Sequence, residues 1–149
     1  MEQQARAVLD KFAAAGKAKD ANALSRLLSK DCIIIMPEAV GVSARARFFT
    51  RDSYLELLKQ RYSERIASNS KRVIRDITSS TTGDVFVTAD DEERTRIGTR
   101  SEWIRSHEYI VMRPVGGNLL IAMVVAEMFF YAPDVPPDPT ASPKNNGSE

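Results

Sequence analysis

The sequence predicts an α+β fold in which three N-terminal helices pack on a strongly curved antiparallel sheet, in the order α-α-β-α-β-β-β-β. Three short helical patterns come first, with one apolar strand after the second, and long strands complete the domain. In a chain of 149 residues this order has few packing solutions. The one we expect is a sheet folded over the helices, which encloses a central apolar pocket.

The helices are predicted from apolar residues that recur at helical spacing. Residues 4–16 form the first helix, and Asp20 provides the N-cap of a short second one. The third helix covers residues 51–66 and begins either at Ser53, which resembles the start of a capping box, or at Thr50.

Runs of β-forming residues predict the strands. The first covers residues 32–36 and ends at Pro37, after which residues 40–49 are predicted to form a loop. Turn residues divide the remainder of the domain into four further strands. These strands cover residues 71–81, 85–96, 100–113 and 119–132.

The composition excludes several classes of function. A net charge of +1 provides no field that would recruit nucleic acid or an anionic membrane. The single cysteine, Cys32, cannot form an internal disulfide and is interpreted as a small core residue. The longest apolar run is far too short to span a bilayer, and the N-terminus lacks a secretory signal pattern, so a cytoplasmic location is expected.

The last strand predicts a homodimer. It is apolar at nearly every position from Leu119 to Phe130, with Glu127 as the interruption. A strand with one hydrated face would alternate, so both faces of this strand are predicted to be covered. The helices cover one face, and we expect a second subunit to cover the other, through the sheet.

The chain is predicted to hold one domain, residues 1–132, and a tail, residues 133–149. The tail contains five of the seven prolines, together with serine, asparagine and glycine. Such a composition buries too little apolar surface to fold, so the tail is expected to be disordered.

A tight turn at Gly98 predicts which side chains share a face. A loop of even length places odd positions of one strand beside even positions of the next. One face then holds Val85, Val87, Ala89, Ile104, Ser106, Glu108, Ile110 and Met112, and the other holds Asp90 and His107. The charged run at residues 90–94 is predicted to be a solvated surface.

Glu108 is the strongest catalytic candidate. Apolar neighbours oppose its ionisation and suit a group that donates or accepts protons near neutral pH. The alternative is a structural carboxylate held by a backbone or tyrosine donor. On the other face, His107 and Asp90 could form the orienting half of a general-base unit, or His107 could be a packed or interface residue.

Eight further side chains are candidates for the lining of a ligand pocket, with ordinary core packing as the alternative. They are Phe12, Met36, Tyr54, Leu58, Tyr62, Ile110, Met112 and Met128. The sequence has neither the spacing of a zinc site nor a phosphate-binding glycine loop, so no metal and no cofactor are expected.

The order of the segments, the Asp20 cap and the run DCIIIMP at residues 31–37 resemble the nuclear transport factor 2-like superfamily, over residues 3–132. That superfamily includes SnoaL-like cyclases and steroid Δ-isomerases. The resemblance implies a cone-shaped, cystatin-like α+β fold with a pocket between a bent sheet and the helices, and a homodimer.

The isomerase site does not carry over intact. The tyrosine donor of that subfamily corresponds to Phe12, its catalytic base to Met36 and its second acid to Glu108. The histidine-dependent dehydratases of the superfamily use more than one histidine, whereas this chain has only His107. Neither mechanism is therefore expected here.

Together these features favour a SnoaL-like small-molecule pocket protein that acts as a cofactor-independent acid–base enzyme on a small apolar substrate. The reaction would be of the isomerase, cyclase, dehydratase or hydrolase type. A ligand-binding protein without chemistry and a dimeric protein-interaction module of the same fold are the alternatives. A cavity that contains a carboxylate would favour the enzyme.

Overall fold

The computed structural model describes residues 1–40, 43–97 and 100–131, and the predicted tail lies outside them. The helices are α1 (Glu2–Lys17), α2 (Ala21–Leu27) and α3 (Arg51–Glu64). The strands are β1 (Leu28–Val40), β2 (Ser43–Thr50), β3 (Arg65–Ser79), β4 (Val85–Ile97), β5 (Arg100–Val115) and β6 (Asn118–Tyr131). They form one open six-stranded sheet in the order β2-β1-β6-β5-β4-β3, and the α+β class predicted from the sequence is confirmed.

Side-chain caps fix the start of two helices. The Asp20 carboxylate accepts a hydrogen bond of 2.8 Å from the backbone N–H of Ala23, as predicted for α2. At α3 the Thr50 hydroxyl accepts from the backbone N–H of Ser53 at 3.3 Å. Thr50, rather than Ser53, is therefore the N-cap. None of the helices in the described ranges is long and apolar enough to cross a membrane.

The sheet is mixed. Strand β1 runs parallel to β6, whereas the other four neighbouring pairs are antiparallel. The expectation of an antiparallel sheet therefore holds for those four pairs only. The β1–β6 pair joins strands from opposite ends of the domain, and such a pairing has no local signal in the sequence.

Three strands differ from their predicted bounds. Strand β1 covers Leu28–Val40 rather than residues 32–36, and Pro37 does not end it but pairs with Ala46 of β2. The prediction of a loop at residues 40–49 is wrong for residues 40 and 43–49, because β2 pairs with β1 along its whole length at the edge of the sheet, and residues 41–42 lie outside the described residues. Short and charged residues such as Ala46 and Arg47 suit an edge strand. Strand β3 begins at Arg65, well before the predicted residue 71, because its polar start pairs with β4.

The predicted faces of β4 and β5 are confirmed. Ala89 pairs with Glu108 and Asp90 pairs with His107, which is one of the registers that an even-length loop allows. The face predicted to be buried is buried throughout, and its residues are Val85, Val87, Ala89, Ile104, Ser106, Glu108, Ile110 and Met112. Part of this face, including Glu108, lines the cavity described below.

Cys32 belongs to the core, as the sequence indicates. It is buried together with Ile34 of the same strand. Burial raises the pKa of the Cys32 thiol to about 11, so the group is protonated and unreactive at neutral pH.

Candidate functional site

A cavity of about 390 Å³ lies between α1, α3 and the inner face of the sheet. Its volume falls in the range typical of small-molecule sites. One wall is apolar and comes mainly from α1, α3, β1 and β6. Residues of that wall include Phe12, Ile34, Met36, Leu58, Val124 and Met128.

The opposite wall is polar, because it is formed by the inner faces of β3, β4 and β5. Its charged residues are Arg65, Arg72, Asp91, Glu93 and Glu108, and its hydroxyl groups come from Ser68, Ser70, Thr95 and Ser106. The cavity therefore presents an apolar surface to one side of a ligand and titratable groups to the other.

Arg72 is the centre of the polar wall. Its Nη2 atom lies 3.0 Å from Oε2 and 3.3 Å from Oε1 of Glu108. Its Nε atom lies 3.9 Å from Oδ1 of Asp91. Its guanidinium also stacks over the Phe12 ring, with 5.9 Å to the ring centroid. One guanidinium thus contacts two carboxyl groups and an aromatic ring in the same cavity.

Asp91 is the titratable group that this arrangement perturbs. Burial raises the pKa of its carboxyl to about 7, the neighbouring carboxylates, Glu108 first, add to the shift, and Arg72 opposes it. Asp91 therefore exchanges a proton near neutral pH. For Arg72, burial alone would lower the pKa, but the charges of Glu108 and Asp91 raise it, so Arg72 stays cationic.

Tyr54 brings a neutral hydroxyl to the cavity from α3. Burial raises the pKa of its phenol, and the nearby Tyr62 and Glu108 add to the shift. The phenol therefore keeps its proton at neutral pH and can donate a hydrogen bond. Tyr54 is half-buried and packs against Phe49, with 6.2 Å between ring centroids.

A second polar cluster surrounds Glu93. Its Oε1 accepts hydrogen bonds from Ser68 at 2.5 Å and from Thr95 at 2.8 Å. Arg65 Nη1 lies 3.8 Å from the same oxygen, and Arg65 Nη2 donates to the Gly16 carbonyl at 2.7 Å. This cluster ties β3 and β4 to the end of α1 and leaves Glu93 well satisfied.

Comparisons with known proteins identify the fold. No protein-family model matches the chain, and no curated protein matches it. A conserved protein from Planctomyces limnophilus is 16% identical, with a TM-score of 0.75 over 87% of this chain and 97% of that one. A nuclear transport factor 2-like protein from Cytophaga hutchinsonii is 15% identical, with a TM-score of 0.68 over 87% and 98%.

The chain has the nuclear transport factor 2-like fold. A ketosteroid isomerase-like protein from Erwinia carotovora atroseptica shares it, at 15% identity and a TM-score of 0.65 over 83% of this chain and 92% of that one. At these identities the likeness concerns the fold alone.

Most of the predicted pocket residues lie at the cavity. The residues that line it are Phe12, Met36, Tyr54, Leu58, Tyr62, Glu108, Ile110 and Met128. Met112 does not. It is fully buried, between its strand partners Val85 and Ile121, where the core packs without leaving space.

His107 and Asp90 lie on the outer face of the sheet, away from the cavity, because neighbouring residues of a strand point to opposite sides. His107 Nδ1 contacts Asp90 Oδ1, and Arg75 Nε donates to Asp90 Oδ2 at 2.7 Å. Burial alone would raise the pKa of Asp90, but the hydrogen bonds from Arg75 and His107 lower it. The pair forms a surface ion cluster and does not reach the cavity.

The sequence analysis missed most of the polar cavity residues, among them Arg72, Asp91 and Glu93. The prediction that residues 90–94 form a solvated surface is wrong for Asp91 and Glu93, which line the cavity. The signal was the alternation of β4, since Asp91 and Glu93 continue the buried odd positions that begin at Val85.

Within the described ranges, no group of three or more acidic, histidine or cysteine side chains could hold a metal ion.

Proposed function

We propose that this protein is a cofactor-independent acid–base enzyme that acts on a small, largely apolar molecule held in the cavity. The observation that carries the proposal is the contact of Arg72 with both Glu108 and Asp91 inside that cavity. An enzyme that moves protons needs an acceptor and a donor within reach of one substrate, in surroundings that exclude bulk water.

Each polar residue has a role in this proposal. Glu108 accepts a proton from a carbon of the substrate, while Arg72 holds the carboxylate in place. Asp91, with a pKa raised to about 7, supplies a proton to an oxygen of the substrate. Tyr54 donates a hydrogen bond to negative charge that develops on that oxygen. In an isomerisation, Glu108 returns its proton to another carbon and the substrate oxygen returns its proton to Asp91. In an elimination, the protonated oxygen leaves as water or an alcohol, and the proton on Glu108 passes to Asp91 through solvent.

The fold supports this class of reaction without specifying the substrate. A solved neighbour is described as ketosteroid isomerase-like. Phe12 and Met36 stand at the positions that the sequence analysis matched to the isomerase donor and base, so we do not propose steroid isomerisation. Glu108 stands at the position matched to the second acid of the isomerases. In this proposal Asp91 of β4 and Tyr54 of α3 provide the second titratable group and the hydrogen-bond donor.

A binding protein without chemistry is the second candidate. The contact of Arg72 Nη2 with both oxygens of Glu108 favours it, because such a carboxylate serves to hold the polar wall together. In that case the cavity would bind the same class of molecule, and substitution of Glu108 would change stability but not turnover.

A proton-transfer probe separates the two candidates. The ring of nitrobenzisoxazole opens to a coloured phenolate when a base removes its carbon-bound proton, so the reaction needs no knowledge of the natural substrate. Glu108→Gln keeps the shape of the side chain and should lower the rate constant by about 100-fold. Glu127→Gln removes an exposed carboxylate and is the matched control. An unchanged rate in a folded Glu108→Gln variant would leave only the binding protein.

We further propose that the protein is a homodimer through the outer face of the sheet. Ile33, Phe86 and Tyr109 are 49%, 45% and 52% exposed on that face, which is unusual for large apolar side chains. Val125, at its centre on β6, pairs with Tyr109. A second copy of the same face would cover these residues, and the Asp90–His107 contact would lie in or beside the interface.

A further inference from the structure

We propose that the ligand of the cavity carries an anionic group, which Lys17 and Arg61 bind where the cavity opens, while its apolar body lies inside. This inference rests on the proposed function, because it names the class of molecule that the same cavity accepts. Lys17 is exposed and Arg61 is partly exposed, yet both line the cavity. We call the part of the cavity between these two cations its mouth.

The backbone brings the two cations to one place. Lys17 ends α1 and Arg61 lies in the last turn of α3. Arg65, four residues after Arg61, donates through Nη2 to the carbonyl of Gly16, the residue before Lys17. The ends of both helices are thus tied together at the mouth.

The side chains of Lys17 and Arg61 have no acidic partner among the residues that the structure describes. Within residues 1–40, 43–97 and 100–131, neither Lys17 nor Arg61 forms a hydrogen bond or an ion pair through its side chain. Glu93, which lines the same cavity, already accepts from Ser68 and Thr95 and lies beside Arg65. The mouth therefore has an excess of positive charge, which favours an anionic partner.

The field of Arg61 extends into the cavity. Its charge lowers the pKa of Tyr54 and of Tyr62, against the larger effect of burial, which raises both. Deeper in, the two guanidinium groups are occupied, Arg65 by Gly16 and Glu93, and Arg72 by Glu108 and Asp91. An anion is consequently favoured at the mouth and disfavoured beside the carboxyl groups of the interior.

This placement also orients the ligand. Glu93, beside the mouth, and Asp91 are two positions apart in β4, which is about 7 Å along the strand. A molecule anchored by its anion at the mouth would extend an apolar body toward Phe12 and Met36 and present it to Asp91 and Glu108. The ligand class is thus an apolar molecule with one carboxylate, sulfonate or phosphate at one end.

Two dyes that differ only in charge test the inference. Anilinonaphthalene sulfonate and N-phenylnaphthylamine share the same aromatic body, and only the first has an anion. We expect Lys17→Gln/Arg61→Gln to weaken binding of the sulfonate dye about fivefold and to leave the neutral dye unchanged. Lys11→Gln/Arg26→Gln makes the same charge change at exposed positions away from the cavity and is the control. Lys17 and Arg61 could instead act only by stabilising the C-terminal ends of their helices, where a cation is favourable. Their substitution would then lower the melting temperature without changing the ratio of the affinities for the two dyes.

The location of the dyes is checked separately. Ala13 is exposed but lines the cavity, whereas Ala7 is exposed and does not. Ala13→Trp should weaken both dyes, and Ala7→Trp should weaken neither. If Lys17→Gln/Arg61→Gln binds the neutral dye and keeps its full affinity for the sulfonate dye, the anion site is wrong. The proposal of a ligand-binding cavity would then still stand. Failure of both dyes to bind would overturn both proposals.

The type of anion is then distinguished by competition against the sulfonate dye. Octanoate, octyl phosphate and octanol share one alkyl chain and differ in the head group. The anion that competes at the lower concentration is the one the mouth prefers, and high salt should reduce that preference. If octanol competes as well as both anions, the mouth does not select charge and the inference is wrong.

Discussion

One nitrogen of Arg72, Nη2, serves both carboxylate oxygens of Glu108, at 3.3 Å for Oε1 and 3.0 Å for Oε2. Within the described residues, neither Oε2 of Glu108 nor Nε of Arg72 meets the geometry of a hydrogen bond, although both atoms are buried. The pair is therefore held by charge more than by a full set of hydrogen bonds. Removal of one partner would leave the other buried without compensation.

This geometry predicts a strong coupling between the two residues. Arg72→Met should lower the free energy of unfolding by about 3 kcal/mol, because Glu108 keeps its buried charge without a partner. Adding Glu108→Gln should recover a large part of that loss, since the uncompensated charge is then gone. Urea denaturation of wild type, both single variants and the double variant measures the coupling. Additive effects of the two substitutions would show that the pair does not interact as the distances imply.

Asp91 predicts a dependence of stability on pH. Its pKa is raised in the folded state from 3.8 to about 7, so the unfolded chain releases this proton first as the pH rises. Asp91 therefore destabilises the fold increasingly between about pH 4 and pH 7, and its effect is constant above that. Asp91→Asn should be more stable than wild type at pH 8, and the difference should shrink toward pH 4.

Denaturation by urea at pH 4.5, 6 and 8 measures this difference. Asp10→Asn removes an exposed carboxylate of α1, away from the cavity, and is the control. Carbon-detected NMR of the Asp91 carboxyl gives the titration directly. A titration midpoint near 4 would remove the proton donor from the proposed mechanism.

The fold and the cavity could be predicted from the sequence to different extents. The buried face of β4 and β5, including Glu108, could be predicted because side chains of a half-buried strand alternate between the two faces of the sheet. The β1–β6 pairing could not be predicted, since it joins distant segments, nor could β2, whose small and charged residues have no strand signal. Arg72 lies between Lys71 and Val73 with no local sign that its side chain points inward, and only the pairing of β3 with β4 places it beside Asp91.

The composition of the C-terminal segment predicts that it does not contribute to the stability of the domain. Deletion of residues 136–149 removes four of the seven prolines and no apolar periodicity. We expect the melting temperature to change by less than about 3 °C, which corresponds to less than about 1 kcal/mol for a domain of this size. Differential scanning calorimetry of the full and shortened chains measures it. A larger decrease would show that this segment packs on the domain.

The exposed apolar residues of the outer sheet face predict self-association. Val125 lies at the centre of that face on β6, between its strand partners Ile35 and Tyr109. Val125→Glu would bury a charge in the proposed interface, and we expect it to convert a dimer into a monomer in sedimentation equilibrium at micromolar concentration. Ala7→Glu adds the same charge on the exposed side of α1 and should leave the dimer unchanged. If the wild-type chain is itself a monomer, then the outer face is exposed to solvent, and the half-buried side chains of β6 are covered by their strand neighbours alone.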